Sequence, residues 1–198
     1  AIALASSLAA CASAPTHYYT LVAPPPQATP ASQPAPFAID VLSVGIPAIL
    51  DQPQLVVRQG NAGIAVLDGE RWAGPLGDEL RSALSAQLAY RLQAQDVSGL
   101  AKPADKPVLK ILVQVRRLDA WPGRLVQLDA DWGLGFANEA AGARLACHGQ
   151  FAESAPGGYP ELVQAQQRAV SALADAIGKD ALAWAQSRKA GCSSIPRA

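Results

Sequence analysis

Between residues 109 and 136 apolar and polar residues alternate on both sides of a single Pro-Gly pair, a pattern that admits little except a β-hairpin. Leu109, Ile111, Val113 and Val115 share one parity, and Lys110, Gln114 and Arg116 share the other. Successive strand side chains point to opposite faces, so one face is buried and the other meets water. Pro122-Gly123 reverses the chain: Pro presets φ at the first central position of a type II turn, and Gly accepts the positive φ of the second. The return run sets Val126, Leu128, Ala130, Trp132, Leu134 and Phe136 against Gln127, Asp129 and Asp131. A polar turn, Asn138 to Gly142, leads to a third strand from Ala143 to Glu153. The prediction is a three-strand antiparallel meander.

Two helices flank it. Leu76, Leu80, Leu84, Leu88 and Leu92 recur every four residues, with Pro75 suited to the first turn. After Pro156-Gly157-Gly158, Pro160 opens a second helix whose stripe runs through Leu162, Val163, Val170, Leu173, Ile177, Ala181 and Trp184. Shorter β-prone runs lie at His17 to Val22, Phe37 to Ile46, Gln54 to Gln59 and Gly63 to Leu67. Residues 23–36 hold six prolines, and an extended path of ~3 Å per residue makes them a loop or spacer. The expected fold is α/β: a mixed, largely antiparallel sheet covered by two long amphipathic helices. It forms a single domain over residues 18–190, and residues 191–198 read as a frayed tail.

Composition removes several functions. Sixteen basic residues balance sixteen acidic ones, and half of the chain is hydrophobic. A disordered chain is more polar than this, and a nucleic-acid binder carries a basic excess. No G-x-S-x-G elbow, Walker A loop, G-x-G-x-x-G fingerprint or C-x-x-C pair is present. The two histidines, His17 and His148, have no carboxylate or usable cysteine at ligand spacing in the sequence, so no metal is expected. Asp129 and Asp131 are the best catalytic pair available, about 7 Å apart on one strand face. The same residues are also what a solvated strand face requires. The expectation is a protein that is not an enzyme and uses no cofactor. Trp132 and Trp184 fall on apolar stripes and read as core, whereas Trp72 and Trp121 lack a periodic reason for burial and suit a contact surface.

The amino end reads Leu8-Ala9-Ala10-Cys11 after an uncharged apolar stretch. This is a lipobox pattern, with residues 1–10 as the end of a signal segment, Cys11 as the lipidated residue and 11–17 as a tether. Outside the cytoplasm Cys147 and Cys192 permit one disulfide. The alternating run around Cys147 also makes it a small core residue, and both readings stand.

Three stretches together resemble the ABC-type transport auxiliary lipoproteins of the paraquat-inducible, YmbA-like type. They are Tyr18-Tyr19-Thr20-Leu21 close behind the lipobox, the run from Val44-Gly45-Ile46-Pro47 to Arg58, and Arg71-Trp72-Ala73-Gly74-Pro75-Leu76. The resemblance implies an outer-membrane-anchored periplasmic lipoprotein, since Ala12 stands where an inner-membrane retention aspartate would be. It further implies a docking role beside an MCE-domain protein and an ABC transporter or related permease, with self-association. Carried onto this chain, Pro47, Leu50, Asp51, Pro53, Arg58, Trp72 and Pro75 are expected to form the contact surface for the partner or a neighbouring copy, with Pro47 and Pro53 stiffening the loop, Leu50 as apolar anchor, Asp51 and Arg58 orienting the loop, and Trp72 packing beneath or projecting. The competing reading is that these residues fix a turn and plug the core. The rival function is a periplasmic module that binds lipid or another apolar ligand without such a partner.

Overall fold

The computed structural model describes residues 15–24, 33–139 and 144–193. The lipobox with Cys11, the middle of the Pro-rich loop and residues 194–198 lie outside them. Among the described residues the order is β1 (His17–Tyr19), β2 (Ala38–Val41), β3 (Gln54–Gln59), β4 (Gly63–Trp72), α1 (Leu76–Leu92), β5 (Val108–Trp121), β6 (Leu125–Phe136), β7 (Leu145–Ser154) and α2 (Tyr159–Gln186). A 3-10 turn occupies Ala48–Leu50.

The meander is β5–β6–β7. Its hairpin pairs Leu109 with Phe136 at one end and Trp121 with Leu125 at the turn. The register shifts between Val115 and Arg117. One extra residue reverses the parity of the strand, so Leu118 and Ala120 take over the buried side from Val113 and Val115. The mixed α/β architecture stands, but the strands form two sheets where one was expected. β2 joins the meander parallel to β5 in the order β2-β5-β6-β7, and β1, β4 and β3 form a separate sheet in the order β1-β4-β3.

All five leucines of the α1 stripe are buried. They pack α1 against α2, which in turn covers β6 and β7. The start of α2 depends on glycine. Gly157 sits at φ +108°, and a Cβ there would lie 2.9 Å from Cγ of Glu161. Glu161 Oε2 accepts the Gly158 N–H at 2.8 Å, satisfying a donor at the helix start. No described helix is long and apolar enough to cross a membrane.

The expected frayed tail, residues 191–198, is tied down at Cys192 and Ser193. Cys192 is disulfide-bonded to Cys147, with Cα atoms 5.7 Å apart. Beside the bond, the buried Asp180 carboxylate accepts the Trp132 indole N–H at 2.9 Å and the Ser193 backbone N–H at 2.6 Å. A buried carboxylate without such donors would be costly. Residues 192 and 193 therefore belong to the folded body. Cys147 also keeps its place on the buried side of β7.

Candidate functional site

Three segments remote in sequence meet at the start of α1. The first is β1 with Thr20 and Leu21. The Tyr19 carbonyl accepts the Ala73 N–H at 2.7 Å. Glu79, in the first turn of α1, accepts both the Thr20 hydroxyl at 2.7 Å and the Leu21 N–H at 2.9 Å. Leu21 thereby enters the core. Below it, the Tyr19 hydroxyl donates to Glu70 at 2.6 Å, and Glu70 also meets His17 at 3.1 Å. Partial burial and then the Glu70 carboxylate push the Tyr19 phenol up to about 12.

The second segment runs from Val44 to Arg58. Gly45 extends β2 alongside β5, donating to the Val113 carbonyl at 3.1 Å and accepting from Val115 at 2.9 Å. A Cβ at Gly45 would fall 2.1 Å from Gln114 Oε1, so any larger residue here would have to displace the end of that side chain. Pro47 precedes the 3-10 turn at φ −60°, and the turn closes with the Asp51 N–H on the Ala48 carbonyl. The third segment joins it through the Trp72 N–H, which donates to the Pro53 carbonyl at 2.8 Å. Asp51, Gln52, Pro53, Trp72, Ala73, Gly74 and Pro75 line one open cavity of about 350 Å³.

Within this arrangement the expected contact residues divide. Leu50 is 7% exposed and Trp72 5%, so both support the surface from beneath and neither projects as an anchor. A three-residue 3-10 turn puts neighbours on different sides. Ile49, which the sequence reading passed over, is the outward residue at 54% exposure. Arg58 is spent internally: its Nε and a terminal nitrogen donate to the two oxygens of Asp119 at 2.7 and 3.1 Å, joining β3 of one sheet to β5 of the other. Pro53, Asp51 and Pro75 are exposed, and Pro47 is half-buried. Pro75 stands just before α1 and not in its first turn. Trp121 is half-buried, with its indole N–H on the Gly60 carbonyl at 3.2 Å.

The carboxylate pair is not poised for catalysis. Asp131 accepts from Arg116 at 2.6 Å and meets His148 at 2.7 Å. Hydrogen bonds from His148 and then Arg116 hold its carboxyl below the usual range. A glycosidase general acid needs the opposite shift. Asp129, buried where a solvated face was expected, is paired with Arg117 at 2.9 Å. Both histidines thus have carboxylate partners that only strand pairing brings near. Glu70 and Glu79 were the main residues missed. Their one sequence signal is that both lie next to the Trp72-to-Leu76 motif.

The family model described as the ABC-type transport auxiliary lipoprotein component matches residues 19–178. Among solved structures the chain is similar to a Xanthomonas campestris protein of the DUF330 family, at 16% identity and a TM-score of 0.66, over 88% of this chain and 100% of the other. It is also similar to one described only as an uncharacterized protein, at 18% identity and a TM-score of 0.65, over 84% and 98% of the two chains. Likeness at this identity speaks for the fold alone. No curated protein matches.

Proposed function

The chain belongs to the ABC-type transport auxiliary lipoprotein component family, and from that membership we propose that it is a docking component, held at the outer membrane by a lipid on Cys11. Its partner in this reading is an MCE-domain protein that works with an ABC transporter or related permease to move lipid between membranes. The observation that carries the reading is the convergence of two remote segments, residues 51–53 and 72–75, on one open cavity, with β1 held to the second of them through Ala73. Pro47, Pro53 and Pro75 stiffen that surface before any partner arrives, which lowers the ordering cost of association. Asp51 stands on the rim of the cavity walled by Trp72, and Ile49, on the same loop, supplies an exposed apolar contact over the adjoining groove that it shares with Ile64. Leu50 and Arg58 set the position of the loop from within.

A photocrosslinking side chain at Ile49 or Gln52 in the lipidated protein, in intact envelopes, tests this. The expected adduct is with an MCE-domain protein or a permease subunit, and the same probe at Leu100 gives none. An adduct only with a second copy would assign the surface to self-association. No adduct at either position would remove the docking role.

A further inference from the structure

The sheet β1-β4-β3 has an uncharged end. Residues 59–67, which close the β3–β4 hairpin, contain no Asp, Glu, Lys or Arg. Ile64 and Val66 on β4 are 41% and 42% exposed. Leu112, 50% exposed on β5, stands instead on a strand face shared with Lys110 and Arg116, and the one charge across from Ile64, Arg58, is paired with Asp119. The Trp121 indole reaches this hairpin through its bond to the Gly60 carbonyl.

The amino-terminal chain is directed to the same place. β1 lies parallel to β4, with His17 opposite Glu70 and Tyr19 opposite Trp72. Followed backwards, it runs toward the hairpin. At Pro15 it is still beside β4, its carbonyl 3.7 Å from where a Gly69 Cβ would be. Cys11 is four residues further, so the anchor lies within roughly 14 Å of Pro15. Ile64 is five residues along β4 from Gly69, about 17 Å. An acyl anchor on that short a leash brings the bilayer surface down onto this part of the domain.

We propose that the β3–β4 hairpin, with Ile64 and Val66 foremost, rests on the phospholipid surface beside the anchor. The proposal rests on the lipidation of Cys11. An acyl anchor on one residue sets no orientation by itself, and an uncharged apolar patch next to it supplies a second contact that fixes which way the domain faces. The surface formed by Pro47 to Pro53 and Trp72 to Pro75 is then presented in one orientation.

The test places an environment-sensitive NBD label on cysteine at Ile64→Cys, Val66→Cys or Leu100→Cys in the full lipidated chain. The proteins are reconstituted on phosphatidylethanolamine–phosphatidylglycerol vesicles, and their melting temperatures are checked against the parent protein. Leu100 is exposed and precedes β5, whose far end carries Trp121, so it reports the opposite end of the meander. The expected result is a several-fold rise and blue shift of emission at 64 and 66 on vesicles, with none at 100. Water-like emission at 64 and 66 on vesicles overturns the proposal. A concentration-dependent rise at 64 in detergent without vesicles assigns the patch to a second copy and also overturns it. Flotation of the Cys11→Ala chain is read in parallel. If that chain floats with vesicles as well as the parent, the anchor reading fails first, and the proposal falls with it.

Discussion

Glu79→Ala should unlatch β1. The Glu79 carboxylate holds the Thr20 hydroxyl at 2.7 Å and the Leu21 N–H at 2.9 Å. A hydrogen bond to a charged group contributes roughly 1.5–3 kcal/mol, and with one of these two open to water about 1 kcal/mol each is a fair figure. The sum, about 2 kcal/mol, is a factor of ~30 in the opening equilibrium. The Ala73 amide reports it directly, because its partner is the Tyr19 carbonyl of β1. Hydrogen exchange at Ala73 should therefore accelerate ~30-fold in Glu79→Ala, and by less in Glu79→Gln, which keeps a neutral acceptor. The consequence is mechanical. With β1 docked, the chain from Cys11, the proposed lipid site, to residue 17 spans at most about 20 Å; released back to residue 35, whose N–H is held by the Leu92 carbonyl, it extends to roughly 75 Å. Unchanged exchange at Ala73 would refute the latch. A fall in melting temperature without it would mean that Glu79 acts only on the α1 amino terminus.

Four further outcomes are expected. Leu50→Ala should cost about 2–5 kcal/mol in denaturant unfolding, whereas Ile49→Ala should stay within about 0.5 kcal/mol, as an exposed site does. In acid, burial raises the Asp96 carboxyl, but hydrogen bonds from Ser85 and Ser98 outweigh it and hold the group low, as His148 and Arg116 do for Asp131. Both groups are depressed in the folded state, so their stabilisation is present above the ordinary carboxylate value near ~3.9 and is lost as pH falls through the folded value; Asp96→Asn should flatten this acid limb of a stability–pH profile. A tyrosinate absorbance titration should show one of the four tyrosines ionising near 12, returned toward the ordinary range by Glu70→Gln. Since that phenol is raised, its contribution is complete below the unfolded value near ~10 and disappears as pH rises through the folded one. The disulfide spans a sequence separation of 45 residues, for which loop-closure entropy gives about 4 kcal/mol; reduction should lower the melting temperature accordingly, and an unchanged value would contradict the bond.

The legible parts of the fold were those carried by local periodicity. Alternation placed β5, β6 and β7, the four-residue leucine repeat placed α1, and β3 was read with its observed bounds. β4 runs on to Trp72, past the expected end at Leu67, because Asp68, Gly69, Glu70 and Arg71 interrupt the apolar alternation that marks a strand. The division into two sheets depends on β1 pairing with β4 and β2 with β5, contacts remote in sequence that no window contains. The same limit hid the geometry of the candidate surface. Trp72 looked like a surface residue since nothing periodic surrounds it, and its burial follows from the Pro53 carbonyl that holds its backbone. Arg58 looked free until strand packing brought Asp119 beside it from 61 residues away. The choice between Leu50 and Ile49 turned on a single 3-10 turn, too short to leave a pattern.

The most direct test of the docking account is an affinity pull-down of the natively lipidated protein from solubilised envelopes, with Cys11→Ala as control and identification of both proteins and lipids. The account predicts recovery of an MCE-domain protein or an ABC permease without stoichiometric lipid. Recovery of lipid alone would contradict it and make the domain a carrier.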